Sequence, residues 1–470
     1  MKKAAFINAS GKYSKVILSL IVNAILARIL SAEDYGIVAI ITVFSTFFTT
    51  FSDMGFGAAI VQKKNLTEDE INDIYSFSVY VSIALMIGFV IFSYLIAYFY
   101  NNDVFIGLGR LLSLSLLFNS LNMVPNGLLS KEKRFSTIAI RTVTVYLISS
   151  ILVILFAIFG FSYYALAMET VLTAFLTFLW NYSTLKLKFK KRFDFRSVKG
   201  ILHYSGFQFG FNIINYFSRN LDNLLTGRIF GSAQLGYYSK AYTLMLYPVN
   251  NLSGVITPVI HPILSEFQDD LNLVYLKFIK VLKILFCLGV YVGPLCFLAS
   301  EEMIGILYGP NWSISAEYFK ILSLAIIGQM VNSCAGGVFQ AIGNTKLLFI
   351  NGIVNTIITI IAIFLGVFYG QSIIWLSWGV TIAYLLHFCI TFYMLIHLGF
   401  RFSIIDFIRD ILPEIILIIT MYGACFVYPF IIKNDITSLL SKSTYLGIIY
   451  IIFMLITGEM KLFKQFFRRG

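Results

Sequence analysis

Seven polar residues at helical spacing run as a stripe through the largely apolar stretch from Ser205 to Thr226. Ser205, Gln208, Asn212, Asn215, Arg219, Asp222 and Thr226 follow one another at alternating spacings of three and four. That is the spacing of one face of an α-helix. Phe207, Phe209, Phe211, Ile214, Phe217, Leu221 and Leu225 lie among the other positions. At about 1.5 Å per residue the stretch spans roughly 32 Å, the hydrocarbon thickness of a bilayer. A membrane helix cannot turn an unbroken polar face to lipid. The face must line a water-filled cavity or pack on other polar groups. The spacing therefore predicts a membrane helix bordering a polar interior.

The rest of the chain supports the membrane setting. Of its 470 residues 59% are hydrophobic and only 12% are charged, against about 25% charged in soluble domains. The apolar segments predict an all-α polytopic protein with about fourteen transmembrane helices. They fall at 5–30, 36–62, 75–100, 104–129, 137–159, 161–185, 201–229, 235–262, 279–300, 314–342, 346–368, 371–395, 409–431 and 443–463. With the N-terminus placed inside, the loop cations gather on the inner side and leave only Lys433 and Lys442 outside. This asymmetry predicts a multi-pass protein with both termini cytoplasmic. The net charge of +12 is then an orientation signal and implies no nucleic acid. Lys2 and Lys3 precede no cleavable segment, so no removable signal is expected. Cys287, Cys296, Cys334, Cys389 and Cys425 lack paired spacing and read as small core residues. The four histidines form no ligand pattern, so no metal and no cofactor is expected.

The sequence repeats at an offset of 200 residues. Asn23, Arg28-Ile29-Leu30 and Gly36 match Asn223, Arg228-Ile229-Phe230 and Gly236. Asp69-Glu70-Ile71-Asn72 and Tyr75 match Asp269-Asp270-Leu271-Asn272 and Tyr275 in the same register. Six spans separate equivalent positions, so the blocks share one orientation, and a cavity between two such bundles is the expected site. The predicted division is a six-helix lobe at 1–185, a basic linker at 186–200, a second six-helix lobe at 201–395, and two further helices in 396–470. The first span is the repeat mate of the stripe, with Lys12, Lys15 and Ser19 matching Asn212, Asn215 and Arg219. Lys12 and Lys15 are thereby placed at the cytoplasmic mouth of the cavity, or else are ordinary flanking lysines.

The charges left within the spans indicate a chemistry. Guanidinium groups fork onto phosphate oxygens and stay charged at any working pH. Gln208, Asn212, Asn215 and Asn223 offer amide groups suited to sugar hydroxyls. Arg219 and Asp222 are three apart and can also pair on one face. Asp222 is a candidate for coupling ion movement to transport. Glu317 and Lys320, likewise three apart, read as a structural pair. Arg141 reads as an inner-end anchor. No catalytic carboxylate pair, nucleophile motif or nucleotide loop is present, and the chain reads as a transporter and not an enzyme.

Three stretches carry a family resemblance: LARILSAEDYGIVAI at 26–40, SDMGFGAAIVQ at 52–62, and the segment from NLDNLLTGRIFGSAQLGYY onward at 220–268. With them the chain resembles the Wzx-type oligosaccharide-lipid flippases of the multidrug/oligosaccharidyl-lipid/polysaccharide exporter superfamily. The resemblance implies two six-helix lobes around a cavity, plus two C-terminal helices. It implies alternating access in a bacterial cytoplasmic membrane. The implied cargo is an undecaprenyl-diphosphate-linked oligosaccharide repeat unit for O-antigen, capsule or exopolysaccharide. Other polysaccharide assembly proteins are implied partners besides membrane lipid. In the family, cavity cations hold the diphosphate, a role that falls by position to Arg219, Arg28, Arg228 and Lys240. A cation-coupled drug exporter of the same fold, or a membrane polymerase or ligase acting on the same lipid-linked sugars, are the competing readings. The first is disfavoured by a first span without Asp or Glu, the second by the repeat and the short outer loops.

Overall fold

The computed structural model describes residues 2–53, 57, 60, 61, 63, 66–195, 206–430 and 432–459. Side chains are described at all of these except 2–10, 52, 53, 206–215, 218 and 255–259. Among the described residues every regular element is a helix, and the chain is an all-α multi-pass membrane protein. It divides into two compact units, Met1–Gly236 and Tyr237–Gly470. The first holds α1 (Lys2–Ile29), α2 (Ala32–Asp53), α3 (Glu68–Tyr100), α4 (Val104–Leu121), α5 (Met123–Lys131), α6 (Phe135–Ile158), α7 (Tyr163–Leu185) and α8 (Gly206–Ile229). Helix α9 (Ser232–Pro248) crosses the boundary. The second unit continues with α10 (Gly254–Ser265), α11 (Leu271–Leu298), α12 (Ser300–Leu307), α13 (Ser313–Ser323), α14 (Ile326–Asn332), α15 (Ala335–Ala341) and α16 (Thr345–Phe364). Helices α17 (Ile373–Tyr393), α18 (Ile404–Asp410), α19 (Leu412–Val427) and α20 (Asp435–Thr457) complete it. The compact boundary lies beyond the basic linker because α8 packs on α2; the Tyr216 hydroxyl, for instance, donates to the Val43 carbonyl at 2.5 Å.

Each of the fourteen expected segments holds helix among the described residues. Nine of the described helices are long and apolar enough to cross a membrane, or eleven if two bent pairs each count as one span. The bends are 53° between Pro310–Ser323 and Ile326–Ala341, and 58° between α18 and α19. Outside that set fall α1, α8 and the stretch Ser232–Ser265. These three carry Lys12 and Lys15, the polar stripe, and Lys240. The candidate site residues thus all lie on segments outside the long apolar set, which also leaves out the eight-residue α12.

Helix ends follow local chemistry. Thr67 caps α3 through a reciprocal box with Glu70, and Asp270 caps α11 by accepting from the Asn272 and Leu273 amides. Asn101 closes α3 in the left-handed conformation. The repeat has a physical counterpart where α2 meets α9. A Cβ on Gly36 would lie 1.7 Å from the Ser232 carbonyl oxygen, and one on Gly236 would lie 1.8 Å from that of Ala32. Residues 32 and 36 and their mates 232 and 236 therefore cross reciprocally, at a distance that only glycine permits.

In the first unit Val22, Leu26, Leu30, Tyr146 and Val153 form a core between α1 and α6. The linker is more than a charge run. Its Lys188 amide donates to Asn72 Oδ1 and its Lys190 amide to Ser76 Oγ, at 3.0 and 2.8 Å. Lys190 Nζ pairs with Asp69 and Asp73 at 3.0 and 3.1 Å. In the second unit a larger core gathers Phe278, Leu282, Leu285, Phe392, Leu395 and Met421. Its buried charges are paired across helices. Lys283 reaches Glu414 and Glu459, each at 3.3 Å, and Lys442 pairs with Glu302.

Candidate functional site

Helix α8 puts two faces to two uses. The face predicted to be polar carries Arg219, Asp222 and Thr226 in its described half. Asp222 is 3% exposed and Thr226 is fully buried, whereas Arg219 is exposed. The three-residue spacing does not make an ion pair of Arg219 and Asp222, because the two side chains lie in different surroundings. Asp222 Oδ1 accepts from the Asn223 amide at 2.8 Å. Asn223 Oδ1 and Thr226 Oγ1 are buried with no hydrogen-bond partner among the described residues. This end of the stripe therefore presents buried oxygens, acceptors for a cation or a hydroxyl donor. Gln208, Asn212 and Asn215 lie outside the described side chains, and Ser205 lies outside the described residues.

The other face carries Leu221, Leu224, Leu225 and Arg228. With Phe44, Phe92 and the end of α3, the three leucines line an apolar cavity of about 490 Å³. The Arg228 guanidinium lies 5.4 Å from the centroid of the Phe99 ring, which also lines the cavity.

The remaining cations are spread over the two units. Lys12 and Lys15 are exposed on α1, and Lys15 Nζ lies 5.7 Å from the centroid of the Tyr146 ring. Arg28 is exposed and donates to the Ala24 carbonyl at 2.9 Å, a bond within its own helix. Lys240 belongs to the second unit and is 7% exposed. Its ammonium sits 4.9 Å from the Tyr308 ring and 5.9 Å from the Trp312 ring, a geometry that stabilises a desolvated cation.

Three sequence expectations need correction. Glu317 and Lys320 are both exposed and do not pair; Lys320 lies 5.3 Å from the Phe297 ring instead. Arg141 is buried, donating to Asn126 Oδ1 at 2.8 Å and to Asn181 Oδ1. Asn181 in turn donates to Asn122 Oδ1 at 2.8 Å, so the residue is the centre of a polar knot joining α5, α6 and α7. Cys389 is exposed, while the other four cysteines are buried. The Lys283, Glu414 and Glu459 cluster was not anticipated at all; an embedded acid at 414, just after a helix-starting Pro413, was the available signal.

A family model described as polysaccharide biosynthesis protein matches residues 25–317. The chain belongs to the polysaccharide biosynthesis protein family. A Klebsiella pneumoniae protein described as an uncharacterized membrane protein in the cps region is 25% identical over 96% of this chain and 95% of that one. The lipopolysaccharide biosynthesis protein WzxC of Escherichia coli K12 is also 25% identical, over 78% of this chain and 74% of its own. The fold is that of the lipid II flippase MurJ in an inward closed conformation, with a TM-score of 0.76, 16% identity, and coverage of 97% and 99%. An inward-facing multidrug transporter of the MOP superfamily matches with a TM-score of 0.63 and 15% identity, over 80% of this chain and 93% of that one.

Proposed function

We propose that this protein is a flippase that carries a polyprenyl-diphosphate-linked oligosaccharide across the bacterial cytoplasmic membrane by alternating access. Both termini lie in the cytoplasm, and the product feeds surface polysaccharide synthesis, alongside other assembly proteins. The observation that carries this reading is the polar face of α8 within a chain of a polysaccharide biosynthesis family. The lipid tail stays in the bilayer while the head crosses beside α8. Arg219 forks onto the diphosphate, with Lys12 and Lys15 at the inner mouth and Arg28 and Lys240 as further cations. Gln208, Asn212, Asn215 and Asn223 replace water around the sugars. Asp222, buried beside the open oxygens of Asn223 and Thr226, couples ion movement to the cycle.

The fold shared with the multidrug transporter favours a drug exporter as the second reading. One experiment separates them. The chain is expressed in a strain lacking its own flippase, and the leaflet holding the lipid-linked repeat unit is determined. The expected result is outer-leaflet units or restored surface polymer. Units that stay inside at good expression, together with raised drug resistance in the same cells, would overturn the flippase reading in favour of the exporter.

A further inference from the structure

The proposed transport uses one face of α8 and leaves the opposite one without a role. At about 100° per residue, Leu221, Leu224, Leu225 and Arg228 fall within a sector of about 100° whose centre lies roughly 140° from the mean direction of Arg219, Asp222 and Thr226. The three leucines line the cavity of about 490 Å³, and Arg228 follows one turn later on the same sector. The wall facing them comes from the last two turns of α3, with Leu95, Tyr98 and Phe99 exposed at the rim. The two helices are tied together there by the Tyr100 hydroxyl, which donates to the Leu224 carbonyl at 3.1 Å. Helix α3 is a candidate membrane span, so its exposed apolar rim faces lipid, and the cavity opens toward hydrocarbon.

A greasy recess with one cation at its end has a defined complement. Hydrocarbon fills the recess without stranding a polar side chain, because the lining is leucine, isoleucine and aromatic rings, with the Tyr100 hydroxyl already bonded to the Leu224 carbonyl and Tyr98 exposed at the rim. The guanidinium at the mouth, held against the Phe99 ring at 5.4 Å, presents its donors to an anionic head. Arg228 makes no ion pair among the described residues. A single recess beside a single fork suits a one-tailed lipid with adjacent phosphates, whereas a two-tailed phospholipid would leave one chain outside.

We propose that the α3–α8 cavity is a binding site for the tail of a polyprenyl diphosphate, with Arg228 on its phosphates. This deepens the flippase reading and rests on it. With the N-terminus inside, α3 and α8 both end at the outer surface, so the site holds the carrier lipid after its head has crossed. Arg228 thereby serves the membrane-facing side of α8, and Arg219 the polar side.

The test uses the full chain in nanodiscs with a neutral polyprenol as control and two anionic probes, all carrying the same mid-chain photoreactive group. One is a sugar-free polyprenyl diphosphate and the other a phosphatidylglycerol. Peptide mapping is expected to place the polyprenyl label on residues 92–100 and 221–225. Leu224→Trp, which fills the recess, should lower that label about tenfold. Arg228→Gln, an exposed change that spares the recess, should weaken labelling by the diphosphate about tenfold and leave labelling by the neutral polyprenol unchanged. Label elsewhere, or undiminished label in both variants, would overturn the site. Equal labelling by phosphatidylglycerol, lost in the same variants, would overturn its occupant. The leaflet measurement is independent: a protein that flips without labelling here refutes this site alone, and one that labels here without flipping refutes the transport reading alone.

Discussion

Tyr75 and Tyr275 occupy matched positions near the starts of α3 and α11, and each receives a segment arriving from later in its own unit. Around Tyr75 the segment after α7 docks through main-chain bonds to Asn72 and Ser76, through Phe193 packed on Phe77 and Tyr80, and through ion pairs of Lys190 to exposed Asp69 and buried Asp73. Around Tyr275 the segment after α17 docks through rings. Phe402 and Phe400 lie 4.7 and 5.7 Å from its ring, and its hydroxyl donates to Asp410 Oδ2 at 2.7 Å. The backbone plan and the ring packing repeat, while the charged fastening does not. The first junction rests in part on exposed charges, which salt screens. The second is buried and aromatic, which salt does not touch. The repeat conserves a place to dock, and each copy fastens it differently.

The largest expected departure from symmetry lies in transport. Arg219 has Ser19 as its repeat mate, so Arg219→Ala should abolish flipping while Ser19→Ala leaves it near normal, as read by surface polymer in complemented cells. Equal phenotypes would mean that the polar face of α8 has no special role. Next comes the glycine crossing, where the copies are alike. Gly36→Ala and Gly236→Ala should each cost about 1–3 kcal/mol through forced separation of α2 and α9. Thermal unfolding in detergent should show matching losses, and a loss in only one variant would break the symmetry of the crossing. Tyr275→Phe should then cost about 1.5–3 kcal/mol by removing a bond to a charged acceptor, whereas Tyr75→Phe should shift the melting temperature little.

The smallest effects concern the caps. Thr67→Ala and Asp270→Ala should each cost about 1 kcal/mol, and the first cap carries a defined response to strong acid. The Glu70 carboxyl is pulled down to about 2, chiefly by the Thr67 amide and then by Lys63. A lowered folded-state value means that its contribution is complete above the ordinary carboxylate range and is lost as pH falls through about 2. Proteolysis near residue 67 should therefore be unchanged between pH 5 and 8 and should rise in a sample held near pH 2. Constant protection across that range would remove Glu70 from the box.

Much of this molecule was readable from local pattern. Span lengths follow from apolar runs, and the matched glycines at 36 and 236 already stood in one register before their crossing was seen. The stripe was legible because a period of 3.6 is a property of neighbours in sequence. Side-chain partners were a different matter. Glu317 and Lys320 satisfy the spacing of an i, i+3 pair, yet the Phe297 ring lies closer to the lysine's preferred direction. Arg141 sits near a span end and suggests an anchor, but its partners come from residues 126 and 181. Helical spacing permits a contact without requiring it, and tertiary neighbours decide.

The Lys283 cluster bears on how such a chain is made. Its acids lie 131 and 176 residues downstream, in α19 and just past the end of α20. During synthesis the lysine enters the bilayer with α11 and waits there, poorly accommodated, until first Glu414 and then Glu459 arrive. Without both acids the ammonium would be stranded among apolar helices, at a cost of about 2.5–3.5 kcal/mol for a lysine at a helix centre. The cluster joins α19 and the segment just after α20 to α11, so groups made late relieve a charge inserted early.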